Sequence, residues 1–132
     1  LMSGTCIAVK EINSKITVVG AEPKGADDAY QSLNKGEIVP QTDPQTMADG
    51  LLTSLGVKTF PIIKEHVQEI ITVSEENIVK AMKLVWDELN IVIEPSSAVV
   101  LGALFEDPYT MKGKKVGMIL SGGNADLENL PW

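Results

Sequence analysis

The alternation of β-branched runs with amphipathic stretches predicts an α/β fold, a three-layer arrangement in which helices cover both faces of a mostly parallel sheet. Three observations carry that expectation. Residues 15–21 form an apolar run with few polar interruptions, as expected of a strand buried on both faces. Residues 74–89 open on Ser74, a favoured N-cap, and place Ile78, Met82, Val85 and Leu89 on one helical face with Trp86 alongside. A second apolar run, residues 116–120, stops at Ser121-Gly122-Gly123-Asn124. Crevices beyond the carboxyl ends of strands are where open α/β sheets hold ligands, and paired glycines let the backbone approach one closely.

Taken in order, residues 1–12 predict a helix, with Leu1, Thr5, Ala8, Val9 and Ile12 at helical spacing and no capping residue before them. An apolar helix that begins uncapped at a residue other than Met implies a piece of a longer polypeptide, because its first-turn N–H groups need partners. After the strand at 15–21, Glu22-Pro23-Lys24-Gly25 turns the chain into a short helix at 26–33, ended by Asn34-Lys35-Gly36. Residues 37–50 carry Pro40 and Pro44 and read as a surface loop. A helix is expected at 59–69, with Pro61 in its first turn, followed by a strand at 70–73. Glu75 and Glu76 then favour the positive end of the Ser74 helix. Ile91-Val92-Ile93 leads through Glu94-Pro95-Ser96-Ser97 into a buried Ala/Val/Leu-rich helix reaching about Phe105, and Lys112-Gly113-Lys114 turns the chain into the last strand.

Composition narrows the function classes. The 132 residues carry eleven lysines, no arginine and a net charge of −7, which disfavours nucleic acid and anionic membrane as partners because both need basic patches. No apolar stretch approaches the roughly 20 residues that span a bilayer. The single cysteine, Cys6, forms no internal disulfide, which fits a reducing cytoplasmic setting, and it reads as a small buried hydrophobe.

Three places could carry chemistry. Ser121-Gly122-Gly123-Asn124 is either a ligand turn or a tight strand-to-helix connection; it lacks the Gly-x-Ser-x-Gly spacing of a nucleophile elbow, and His66 is the only histidine. Glu22-Pro23-Lys24-Gly25-Ala26-Asp27-Asp28 gathers oxygen donors around a glycine turn, as a hard cation requires, although acidic residues in a helix's first turn are also stabilised by its dipole. Glu94, Ser96 and Ser97 could cap a helix or face the crevice.

The order and spacing of Ala21-Glu22-Pro23, Ala26-Asp27-Asp28, Ala48-Asp49-Gly50, Trp86, Ile93-Glu94-Pro95 and residues 120–127 resemble the C-terminal part of the serine racemase family. That family belongs to the fold-type-II pyridoxal-phosphate enzymes, with the serine and threonine dehydratases. The resemblance implies a segment of the large cofactor-binding domain, residues 1–132, with the remainder upstream. It implies that Ser121 hydrogen-bonds the pyridine nitrogen of pyridoxal 5'-phosphate, that Leu1 touches its phosphate, and that Gly50, Gly122 and Glu94 lie beside it. A neutral hydroxyl at the ring nitrogen makes a weaker electron sink than a carboxylate would, which suits proton transfer and β-elimination over transamination.

It further implies a Mg2+, Ca2+ or Mn2+ site made by Glu22, the Ala26 carbonyl and Asp28, a contact of Asn124 to an activating ATP, a homodimer, and a small hydroxy amino acid as substrate. The expected activity is interconversion of L- and D-serine with elimination to pyruvate and ammonia; the alternatives are dehydration of serine or threonine or, from another class, a non-catalytic α/β ligand-binding module. Two positions depart from the pattern: Asn90 replaces a lysine associated with the nucleotide, and Lys58 replaces an asparagine. The Schiff-base lysine, the serine on the opposite face and the tetraglycine phosphate loop of the family all precede Leu1. The segment by itself is therefore expected to be inactive, because racemisation needs acid/base groups on both faces of the substrate and a lysine within bonding reach.

Overall fold

A computed structural model describes residues 1–109 and 111–132. Its elements are α1 (Met2–Ile12), β1 (Val18–Pro23), α2 (Asp28–Lys35), a 3-10 turn (Asp49–Leu51), α3 (Phe60–His66), β2 (Val67–Val73), α4 (Glu75–Leu89) and α5 (Pro95–Glu106). β1 and β2 pair in parallel, with Gly20 opposite Ile70 and Pro23 opposite Val73, and an irregularity of register between Val18 and Val19.

Helices lie on both faces of this pair, giving the expected three layers. On one face Cys6, Val18, Ile63, Val67 and Ile70 form a core joined by residues of α1, α2 and α3. On the other, Val73, Ile78, Met82, Val85, Val99 and neighbours form a core built from β2, α4 and α5, joined by Ala21 and Ile71. The alternation of strand side chains explains the division, since Ile71 and Val73 point opposite to Ile70. Cys6 is fully buried, as expected of a small apolar residue.

α4 forms where the sequence places it. Ser74 is extended and its hydroxyl accepts from the Asn77 N–H at 3.4 Å. Asn90 ends the helix in the left-handed region at φ 54°, a conformation that asparagine tolerates better than most residues.

Four expectations are corrected. The helix expected at 59–69 ends at His66, and Val67 begins β2 because the parallel ladder with Val18 extends the chain there. β1 runs from Val18 to Pro23, later than expected, because residues 14–16 form a turn after α1. α1 buries Cys6 and packs the partly buried Met2 and Val9 beside it, in place of the face running through Leu1, Thr5, Ala8 and Ile12; Leu1 and Ile12 are exposed. That helix is apolar nearly all round, so its sequence does not select one face. The run 116–120 is not a strand, since it has no ladder partner among the described residues, and Val116, Met118, Ile119 and Leu120 are exposed.

Candidate cofactor wall and cation turn

The first turn of α5 gathers the Ser-Gly-Gly turn and Gly50. Pro95 suits the first helical position because it has no N–H to satisfy. Ser97, fully buried, accepts the Ser121 N–H on its hydroxyl at 2.9 Å. Ser96 accepts the Gly50 N–H at 3.0 Å. The Glu94 N–H donates to the Gly122 carbonyl at 3.1 Å, and its carboxylate accepts the Asn124 N–H at 3.0 Å. Glu94 thus both opens the helix and clamps the turn from both sides.

Close approach explains the glycine at 122. A Cβ built there would stand 2.7 Å from the Glu94 carboxyl carbon, inside van der Waals contact. The Ser121 side chain is exposed, and its hydroxyl has no hydrogen-bond partner among the described residues. It is a free donor and acceptor held at a fixed place by its own amide. Ser96 and Ser97, which the sequence offers as helix caps or crevice groups, make no cap bond to α5; they hold the two backbone segments of the wall.

Asn124 borders an open cavity of about 250 Å³ that also includes Met47, Asp49, Met82, Asp126 and Asn129. Asp49 and Asp126 are its two acidic lining residues. Leu1 is exposed at the start of α1, and no hydrogen bond among the described residues links it to the wall.

The second cluster lies at the carboxyl end of β1. Glu22 is buried, and its two carboxylate oxygens accept the amides that open α2, from Ala29 at 3.3 Å and from Tyr30. Because Tyr30 donates to Glu22, the Ala26 carbonyl is left without a donor among the described residues. Asp28, also buried, accepts from Leu55 N–H at 2.8 Å and from the Gln41 amide at 3.4 Å. Burial pushes Glu22 up to about 7 against the opposing pull of the Tyr30 and Ala29 amides, and the neighbouring Asp28 and Asp27 add to the rise. Burial likewise raises Asp28.

Two adjacent buried acids and an unpaired carbonyl make a site with excess oxygen donors, and among the described residues no cationic side chain hydrogen-bonds to either acid. Among the described residues, no group of three or more His, Cys, Asp or Glu side chains is placed to hold a metal, so any ion here would draw on this mixed set and water.

Comparison with known proteins gives concordant results. Residues 1–122 match the family described as pyridoxal-phosphate dependent enzyme. A beta-hydroxyaspartate dehydratase of Paracoccus denitrificans is 48% identical over 132 residues, covering 100% of this chain and 42% of the relative. A serine racemase of Dictyostelium discoideum is 53% identical, covering 98% of this chain and 41% of the relative. Its crystal structure superposes with a TM-score of 0.89, covering 96% of this chain and 41% of that one. The crystal structure of maize serine racemase superposes with a TM-score of 0.91 at 41% identity, covering 97% of this chain and 40% of that one. Threonine deaminases share the same fold over this span. The chain thus spans about two fifths of the curated relatives it matches, and over that span it belongs to the pyridoxal-phosphate dependent enzyme family.

Proposed function

We propose that these residues form one wall of the active site of a pyridoxal-phosphate enzyme that racemises and dehydrates serine or a similar small hydroxy amino acid. The observation that carries the reading is the free Ser121 hydroxyl, fixed by Ser97 beside a glycine that admits close approach. The donor chemistry fits the cofactor. Its ring nitrogen accepts one hydrogen bond, and a hydroxyl can give one without adding charge. When bound, the cofactor supplies an electron sink for the negative charge that develops at the substrate's α-carbon.

The chain's own part is positional. Ser121 donates at the ring nitrogen and leaves it unprotonated, so the sink is moderate. The Gly122 and Gly50 backbones line the ring and keep bulk away from it. The Glu94 carboxylate, anchored on the Asn124 amide, adds negative charge beside the wall. By resemblance, the acid/base groups and the Schiff-base lysine come from outside this wall. The 132 residues alone are then inactive.

Glu22, the Ala26 carbonyl and Asp28 would hold a divalent cation such as Mg2+, whose charge offsets the burial of two acids. A contact of Asn124 to an activating ATP is likewise part of the reading by resemblance. A homodimer is part of the reading by resemblance, and sedimentation tests it.

The experiment is turnover of L-serine, L-threonine and β-hydroxyaspartate by the natural polypeptide that carries this segment, followed by chiral chromatography and keto-acid release. D-serine or a keto acid is the expected product. No turnover of any of the three, in protein shown to hold cofactor, overturns the reading.

A further inference from the structure

Glu106 is the last residue of α5, where a negative charge meets the negative end of the helix dipole, an unfavourable placement by local rules. Four donors from elsewhere compensate. Its Oε2 accepts from Lys24 Nζ at 2.7 Å; its Oε1 accepts from Ser74 N–H at 2.7 Å, Ser74 Oγ at 2.6 Å and Asn77 Nδ2 at 2.8 Å. Lys24 stands in the cation turn, between Glu22 and Ala26. The sheet ladder reaches no further than its amide, which donates to Val73 at 2.8 Å. Beyond that point the side-chain tie to Glu106 is what joins the turn to α5.

We propose that Glu106 is a positioning residue for the cation turn: its carboxylate holds the Lys24 ammonium and so fixes residues 22–28 against α5 and the N-terminus of α4. The proposal rests on the cation reading above. α5 itself is seated firmly, since a Cβ on Gly102 would lie 2.7 Å from Val73 Cγ1, and its far end, about 18 Å away, carries the cofactor wall. A turn held open at the right width before the ion arrives loses less freedom on binding, which is how outer partners of a metal site raise affinity.

Electrostatics and positioning give opposite signs, which makes the test sharp. If only charge mattered, Lys24→Met would tighten cation binding by removing a nearby positive charge, and Glu106→Gln would weaken it. Positioning weakens binding in both.

The measurement is Mg2+ titration by calorimetry on the full natural polypeptide, with the rise in melting temperature on adding Mg2+ as a second readout. Both variants are expected to bind about tenfold more weakly, and the double variant no worse than either single one. Lys24 is half exposed, so its replacement leaves the core untouched. A lower melting temperature with unchanged Mg2+ affinity in Lys24→Met, or tighter binding, overturns the proposal. Absence of Mg2+ binding by the wild-type polypeptide is a different signature, which removes the cation reading and this proposal with it.

Discussion

The carboxyl group of Glu94 occupies the space that a side chain on Gly122 would need, while the Glu94 amide donates to the Gly122 carbonyl at 3.1 Å. One residue therefore sets both the position and the permitted size of the other. Replacing Gly122 with Ala drives the carboxylate away and breaks its hold on the Asn124 amide. The expected loss is about 1 kcal/mol of stability with weaker cofactor retention, read by urea unfolding and by cofactor released on dialysis. Unchanged retention would show that the contact does not shape the wall.

Ser97→Ala removes the buried acceptor of the partly buried Ser121 amide bond. An orphaned amide costs about 1–3 kcal/mol, so the unfolding midpoint should fall. Ser121→Ala, by contrast, removes an exposed hydroxyl that makes no internal bond. It should leave the midpoint within about 0.5 kcal/mol while weakening cofactor retention. The contrast between the two variants separates architecture from ligand contact.

Acid stability reports on Glu106. Burial would raise its carboxyl, but Lys24, Ser74 and Asn77 outweigh this and hold it down to about 2 from an ordinary 4.5. A folded value below the unfolded one means stabilisation that is fully present above pH 4.5 and lost as pH falls toward 2, on the order of 3 kcal/mol. Glu106→Gln should flatten that limb of the stability curve.

The cation turn has the opposite sign. Glu22 titrates higher in the fold than in the unfolded chain, so without a divalent ion its contribution is favourable below pH 4.5 and declines as pH rises through about 7. Mg2+ added at pH 8 should restore stability by far more than at pH 5. Equal Mg2+ effects at the two pH values would contradict this assignment.

Much of this was legible in the sequence because local and global signals agreed. Ser74 followed by two glutamates and an apolar face specifies α4 without reference to the rest of the chain. The boundary at Val67 was not legible, since Val67, Gln68 and Glu69 continue a helical pattern and only pairing with Val18, 49 residues earlier, makes them a strand. The run at 116–120 reads as a strand from composition, but a strand exists through its neighbour.

Ser121, Gly50 and Glu94 were recognisable as separate points. Their convergence depends on Ser96 and Ser97, which look like ordinary helix-start serines. Glu106 carried no signal at all, because its donors lie 29 to 82 residues away.

Borohydride treatment of the full natural polypeptide, followed by its absorption spectrum, decides whether the Ser121 wall serves a covalently held pyridoxal-phosphate. The reading requires a visible Schiff-base band that borohydride abolishes, leaving the cofactor fixed to a lysine. A polypeptide that carries no such band after incubation with pyridoxal 5'-phosphate, while remaining folded, would contradict it.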